Sequence, residues 1–316
     1  MRDTPPKRVA IVGPGALGCL LATALCRIGG EEIWVLDHDS RRAALLQHSG
    51  LTLEYADRCE HFPIQATADA RLIGPVDLVL LCVKSPALRR TLPSLLPLLT
   101  EKTLLLAWQN GIGHLPFLLG AQLPCALALA VTSLGAHLLG PGRVRFGGAG
   151  ATTLGFLGEA PREARQALDG AAELLRLAGL EARVDKDILA QIWNKLLVNV
   201  GINALTAIYH CENGELLRKP EALGLMRAAV QEAAGVAQAK GIAIAPDPVA
   251  RTIAVCRATA SNISSMLQDV RQKRQTEIEA INGAVLEEAG RLGIPAPVNA
   301  ELVDAVKSLE KTYFPG

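Results

Sequence analysis

Two hydrophobic rhythms divide the chain of 316 residues. Up to about residue 185, short apolar runs alternate with helical spacing and are punctuated by glycine. Beyond it, apolar residues recur at i, i+3 and i+4 over long stretches with few breaks. In the first half, Val9–Val12, "EEIWVLD" (31–37), "DLVLLCVK" (77–84), "TLLLAWQNG" (103–111) and "CALALAV" (125–131) read as strands. The run at 77–84 is apolar enough for a parallel strand buried on both faces. Ala16–Ile28 carries helical spacing and meets a stop at Gly29 and Gly30. "RVRF" and "TTLGFLG" read as short strands with a turn at Gly147, Gly148 and Gly150, and a helix is expected near 161–178. The second half predicts helices over about 186–209, 220–240, 247–260 and 264–292. Gly241 follows the second, and Pro246 and Pro248 open the third.

Between the first strand and the first helix lies G-P-G-A-L-G. Gly13 permits the tight turn, Gly15 lets backbone approach a pyrophosphate, and Gly18 packs helix on strand. Pro14, Ala16 and Leu17 complete the turn and open the helix whose N-terminus faces the anion. Asp37 ends the next strand, nineteen residues past Gly18. This strand–turn–helix–strand–acid order is the dinucleotide-binding fingerprint. The fold predicted is therefore an α/β Rossmann-type doubly wound parallel sheet followed by an all-α C-terminal domain. Residues 1–185 form the dinucleotide-binding domain and 186–316 the helical substrate and catalytic domain, with the active cleft expected between them. Ligands of such sheets sit beyond the carboxyl ends of the strands. Lys84 and Asn110 stand at such ends, although a solvated lysine and a turn asparagine would read the same way.

The most apolar predicted helix carries "NKLLVNVGIN" (194–203). Lys195, Asn199 and Asn203 recur there every four residues along one side. Burying an ammonium and two amides costs several kcal/mol unless each finds a partner. Glu277, expected on an apolar helix face with Ile281 and Val285, supplies a matching acid. The pair is either scaffolding or a partly buried lysine whose proton is usable in catalysis.

Composition narrows the classes. Lys plus Arg is 32 against 31 for Asp plus Glu, so no strong field points to nucleic acid or membrane. Aromatics are 3% of the chain, too few for base-stacking platforms. Seven scattered cysteines without C-x-x-C suit reduced thiols buried as small hydrophobes in a cytoplasm, not a disulfide or metal framework. The basic, then apolar N-terminus superficially resembles a targeting segment, but Pro14 and the glycines interrupt it. No other segment is apolar for long enough to span a membrane.

Along nearly its whole length the chain resembles the ketopantoate reductases. The likeness is carried by "GPGALG", "CVKSPAL" with "WQNGIG", "WNKLLVNVGINALTAIYHCENGEL", and "SSMLQDVRQKRQTEIEAINGAVLEEAGRLGIPAPVN". The family reduces a small 2-oxo acid to a 2-hydroxy acid with NADPH, on the way to pantothenate and coenzyme A. The resemblance implies that Lys195 is the general acid and that Glu277 supports it and orients substrate. Asn199 and Asn203 hold the substrate, and Ser265 binds its carboxylate. Lys84 and Asn110 lie at the cofactor–substrate junction, where Glu277 also meets the cofactor. One position departs. Where the family often has an arginine for the 2′-phosphate of NADPH, this chain has Asp37, which accepts from a free ribose and leans toward NADH. Arg41 and Arg42 follow closely enough to reach a phosphate. No metal is expected. A homodimer is plausible from the faces of the helical domain. The rival readings are a related reductase of another small oxo or hydroxy acid, and a non-catalytic dinucleotide sensor.

Overall fold

Residues 5–314 are described in the computed structural model. They divide into two compact units. One holds the chain up to Gln109 together with Leu119–Ile188, the other Asn110–Leu118 together with the chain from Leu189.

The strands of the first unit are β1 (Arg8–Val12), β2 (Glu32–Leu36), β3 (Leu51–Glu54), β4 (Cys59–Phe62), β5 (Gln65–Thr67) and β6 (Leu78–Leu81). They continue as β7 (Leu104–Ala107), β8 (Ala126–Thr132), β9 (Gly135–Gly140), β10 (Arg143–Gly148), β11 (Thr152–Gly155) and β12 (Ala182–Val184). The main sheet has the order β12-β11-β8-β7-β6-β1-β2-β5. The six strands from β8 to β5 run parallel, whereas β11 pairs antiparallel with β8 and carries β12 beside it. The sheet is thus mixed at one edge. Its centre follows from composition: β6 and β7 offer no polar position to water, and every residue of both is buried. Leu80→Ala would remove packing on both faces and is expected to cost about 2–5 kcal/mol. Strand order reverses at β1, which opens the crevice where dinucleotides bind.

A second sheet, β4-β3-β10-β9, is absent from the sequence reading. Of its strands only β10 was expected, as "RVRF"; "LTLE" and "CEHF" span four residues each, too few for an alternation to register. Gly147 and Gly148 end β10 rather than forming the expected turn, because β11 leaves for the other sheet. Cys59 on β4 is exposed and Cys26, Cys82 and Cys125 are half-buried, so only Cys19, Cys211 and Cys256 are the core thiols expected of all seven.

The helical unit is built around Ile188–Tyr209, whose Trp193, Leu196, Leu197, Val200 and Leu205 are buried. Pro220–Ala239 and Pro248–Ala258 pack closely where Gly201 leaves room. A Cβ there would lie 2.7 Å from Val230 and 2.8 Å from Thr252. The single helix expected over 264–292 is broken. Ser265–Arg271 ends at Gln272, Lys273 takes φ 51°, and a π-helical turn over Glu279–Gly283 then leads into Ala284–Leu292. A last helix, Pro297–Lys311, lies beyond the elements anticipated from sequence.

Candidate active site

In the first unit, Gly13 adopts φ 92°, and a Cβ there would lie 2.7 Å from the Val83 side chain. A Cβ on Gly18 would fall 2.2 Å from the Gly13 carbonyl oxygen. Above Gly15 the space is open, with nothing within 4 Å of a Cβ position. Gly15 caps the Ala16–Ile28 helix without a side-chain hydrogen bond, and the first turn holds no acid. The turn therefore presents helix N–H groups and a positive dipole end to an anion, which fits a pyrophosphate. Gln109 braces this cradle, its Nε2 donating to the carbonyls of Leu81 and Val83 at 2.8 Å each. Sequence reading missed that role, because the contact spans two strand ends.

Asp37 is not the open carboxylate expected. Its side chain has no exposed surface, and Arg42 engages both its oxygens through Nε and Nη2. The backbone N–H of Asp39 adds a bond at 3.1 Å and the His38 ring lies 3.3 Å away. Arg42 is committed to Asp37, while the Arg41 side chain is exposed and pairs with no described residue. Beside them a cavity of about 310 Å³ opens at the carboxyl ends of β1, β2 and β6. Gly13, Leu36 and Val83 form part of its wall, and Arg90, Thr91 and Ser94 line it as well. Lys84 follows β6 and is half-buried where a 3₁₀ turn begins.

In the helical unit, Lys195, Asn110 and Glu277 meet. Lys195 Nζ donates to Asn110 Oδ1 at 2.6 Å, and Asn110 Nδ2 donates to Glu277 Oε2 at 3.1 Å. Chemistry fixes the amide orientation, since an ammonium needs the oxygen and a carboxylate the nitrogen. Burial pulls the Lys195 ammonium down to about 8, against the opposing charge of Glu277. Glu277 sits at a bend just before the π turn, not on a helix face, because the helix expected there is broken.

The π turn also positions Asn110. It leaves the Ala280 carbonyl to accept from the N–H groups of Ile112 at 2.9 Å and Gly113 at 3.2 Å. Gly111 makes this approach possible with φ 81°, since a Cβ would lie 2.0 Å from that oxygen. His114 on the same segment is buried and pulled down to about 4 by desolvation. It is neutral near pH 7 and offers no imidazolium in competition with Lys195.

Asn199 is half-buried and Asn203 buried on the lysine helix, and neither side-chain amide bonds to a described residue. Ser265 is the exposed first residue of its helix. Its neighbour Ser264 is the buried cap, accepting from Thr206 Oγ1 at 2.6 Å and from the Leu267 N–H at 3.1 Å. That bond ties the serine pair to the lysine helix one turn beyond Asn203. Among the described residues no cluster of three or more His, Cys, Asp or Glu is arranged to hold a metal ion. No described helix is long and apolar enough to cross a membrane.

A Rossmann-type strand order with an anion-ready glycine turn defines the class, an NAD(P)-dependent oxidoreductase. The family profile described as "Ketopantoate reductase PanE/ApbA" matches residues 9–159, and its C-terminal counterpart matches 187–310. The chain belongs to the ketopantoate reductase family. It is 34% identical to the 2-dehydropantoate 2-reductase of Halobacterium salinarum over 306 residues, 96% of this chain and 99% of that one. Identity to the Vibrio cholerae enzyme of the same name is 32% over 309 residues, 96% and 98% of the two chains. Among solved structures, a PanE/ApbA family ketopantoate reductase from Ralstonia eutropha matches with TM-score 0.87 and 28% identity, over 97% and 99% of the chains. A D-mandelate dehydrogenase with NADH and anilino(oxo)acetate matches with TM-score 0.88 and 27% identity over the same shares.

Proposed function

We propose that this chain reduces 2-dehydropantoate to the corresponding 2-hydroxy acid, with NADPH as the preferred reductant. The observation that carries the reading is the Lys195–Asn110–Glu277 set, a lysine softened by burial and held by an amide that a carboxylate orients. Bound at the glycine turn, a reduced dinucleotide supplies the hydride. As hydride reaches the ketone carbon, the carbonyl electron pair moves to oxygen, and Lys195 stabilises that charge and gives up a proton to it. Proton transfer leaves Glu277 without its counter-charge, and that carboxylate then favours the return of a proton from solvent to the Lys195 amine. Asn199, Asn203 and Ser265 offer uncharged donors to the substrate carboxylate and hydroxyl, and Lys84 stands on the dinucleotide side. NADPH is compatible with the end of β2 because Arg42 already neutralises Asp37, which removes the repulsion an open carboxylate would exert on a 2′-phosphate.

A second reading is favoured by the likeness to D-mandelate dehydrogenase: the same lysine chemistry on a different 2-oxo acid. Both readings need the lysine. Lys195→Ala should keep its melting temperature close to that of wild type while kcat falls by roughly 10²–10⁴. A variant keeping more than half of wild-type kcat would remove the foundation of either.

A further inference from the structure

With Asp37 closed by Arg42, the end of β2 has lost its power to choose between a free and a phosphorylated ribose. The charges around the adjoining cavity show what replaces it. Asp37 is held by Arg42, and Asp69 on the neighbouring loop is held by Arg71. Asp39 accepts from the N–H groups of Arg41 and Arg42 as a helix cap. Every acid beside the cavity is thus engaged, whereas two guanidinium groups, those of Arg41 and Arg90, bond to no described residue. Of these only Arg90 lines the cavity, as Asp37 and His38 also do. It lies on the short helix Leu88–Thr91, with the hydroxyl residues Thr91 and Ser94 beside it in the same wall. Ser94 Oγ donates to the Thr91 carbonyl at 2.7 Å, which fixes the serine and keeps its oxygen free to accept.

We propose that Arg90 is the cofactor-discriminating residue, the cation that grips the 2′-phosphate of an adenosine ribose seated in this cavity. Specificity then resides on the helix after β6, not at the end of β2. A guanidinium suits this role because it presents a planar fork of donors to phosphate oxygens and cannot lose its charge. The cavity holds about 310 Å³, room for a nucleoside. Apolar Leu36 and Val83 give a base something to pack on, so the ribose is the part left to the polar wall. The proposal rests on the NADPH reading above and names the residue responsible for it.

The test uses fragments that carry no nicotinamide, so turnover does not enter. Calorimetric titration of the full chain with 2′,5′-ADP and with 5′-AMP isolates the 2′-phosphate. Wild type should bind 2′,5′-ADP more tightly. Arg90→Gln should lose about ten- to a hundredfold of that affinity, as expected for one charge-assisted contact, with 5′-AMP affected little. Arg90→Lys should recover part of the loss, and Arg41→Gln should change less than Arg90→Gln. Equal losses for both fragments would make Arg90 an adenine contact and overturn the proposal. So would a larger loss in Arg41→Gln. If wild type itself fails to distinguish the fragments, the NADPH reading falls first. If it distinguishes them and Arg90→Gln does so equally well, only the assignment to Arg90 falls.

Discussion

A lysine can serve as a proton donor only while it holds its proton, and Lys195 holds it less firmly than an exposed lysine. Burial lowers its pKa to about 8, and the negative charge of Glu277 opposes that fall. In the direction of oxo-acid reduction, turnover is therefore full below this value and declines as pH rises through about 8. Glu277→Gln removes the opposing charge, so the alkaline limb should move to lower pH. A variant profile that overlays the wild-type one, or moves upward, would separate the two residues. The same shift makes a stability statement. The folded-state pKa lies below the unfolded value of about 10.5, so the ammonium's desolvation weighs fully on the fold below about pH 8 and is relieved between 8 and 10.5. Against a Lys195→Met reference, wild type should gain stability across that window in melts at stepped pH. A constant difference would mean that Lys195 titrates alike folded and unfolded. At this scale the sequence showed which side chains to watch, Lys195 and Glu277 among them. It did not show Asn110 standing between those two, or Arg42 folding back over Asp37, since both depend on where loops deliver side chains.

Among the elements, long periodic segments were the legible ones. Ala16–Ile28 and the fully apolar β6 and β7 appear where their patterns put them. The break between Arg271 and Glu279 did not show, because apolar spacing persists across it and a pattern records which side is buried, not whether the backbone is continuous. The four-stranded sheet was hidden for another reason: only "RVRF", within β10, read as a strand, and β3 and β4 are too short to show an alternation. The break matters to the site, because the π turn that follows frees the Ala280 carbonyl to anchor the segment carrying Asn110. Gly111→Ala would force a Cβ against that oxygen at a positive φ. It should destabilise the fold by about 1–3 kcal/mol and lower kcat by releasing Asn110 from Lys195. Circular-dichroism melts with steady-state rates check this. A Gly111→Ala protein with wild-type melting temperature and wild-type kcat would show that the docked segment contributes to neither.

For the whole molecule, two family profiles and relatives matched over nearly their full length give the family, and the role proposed for Lys195 would serve several 2-oxo acids alike. Composition pointed to no nucleic-acid or membrane partner and selected no substrate, because substrate choice depends on an apolar wall that no short motif encodes. Ketopantoate carries a quaternary carbon beside its ketone, whereas an oxo acid of the mandelate type carries a flat aromatic ring. A pocket shaped for one leaves a gap or a clash with the other, and one mismatched methylene-sized contact already changes kcat/KM by about 10–200-fold. The direct measurement is kcat/KM for the loss of reduced-nicotinamide absorbance with ketopantoate, pyruvate and phenylglyoxylate, each with NADPH and NADH. Ketopantoate with NADPH should give the highest value, at least about tenfold above either rival acid. Phenylglyoxylate turning over faster than ketopantoate would contradict this, and would make the chain a reductase of aromatic 2-oxo acids built on the same lysine.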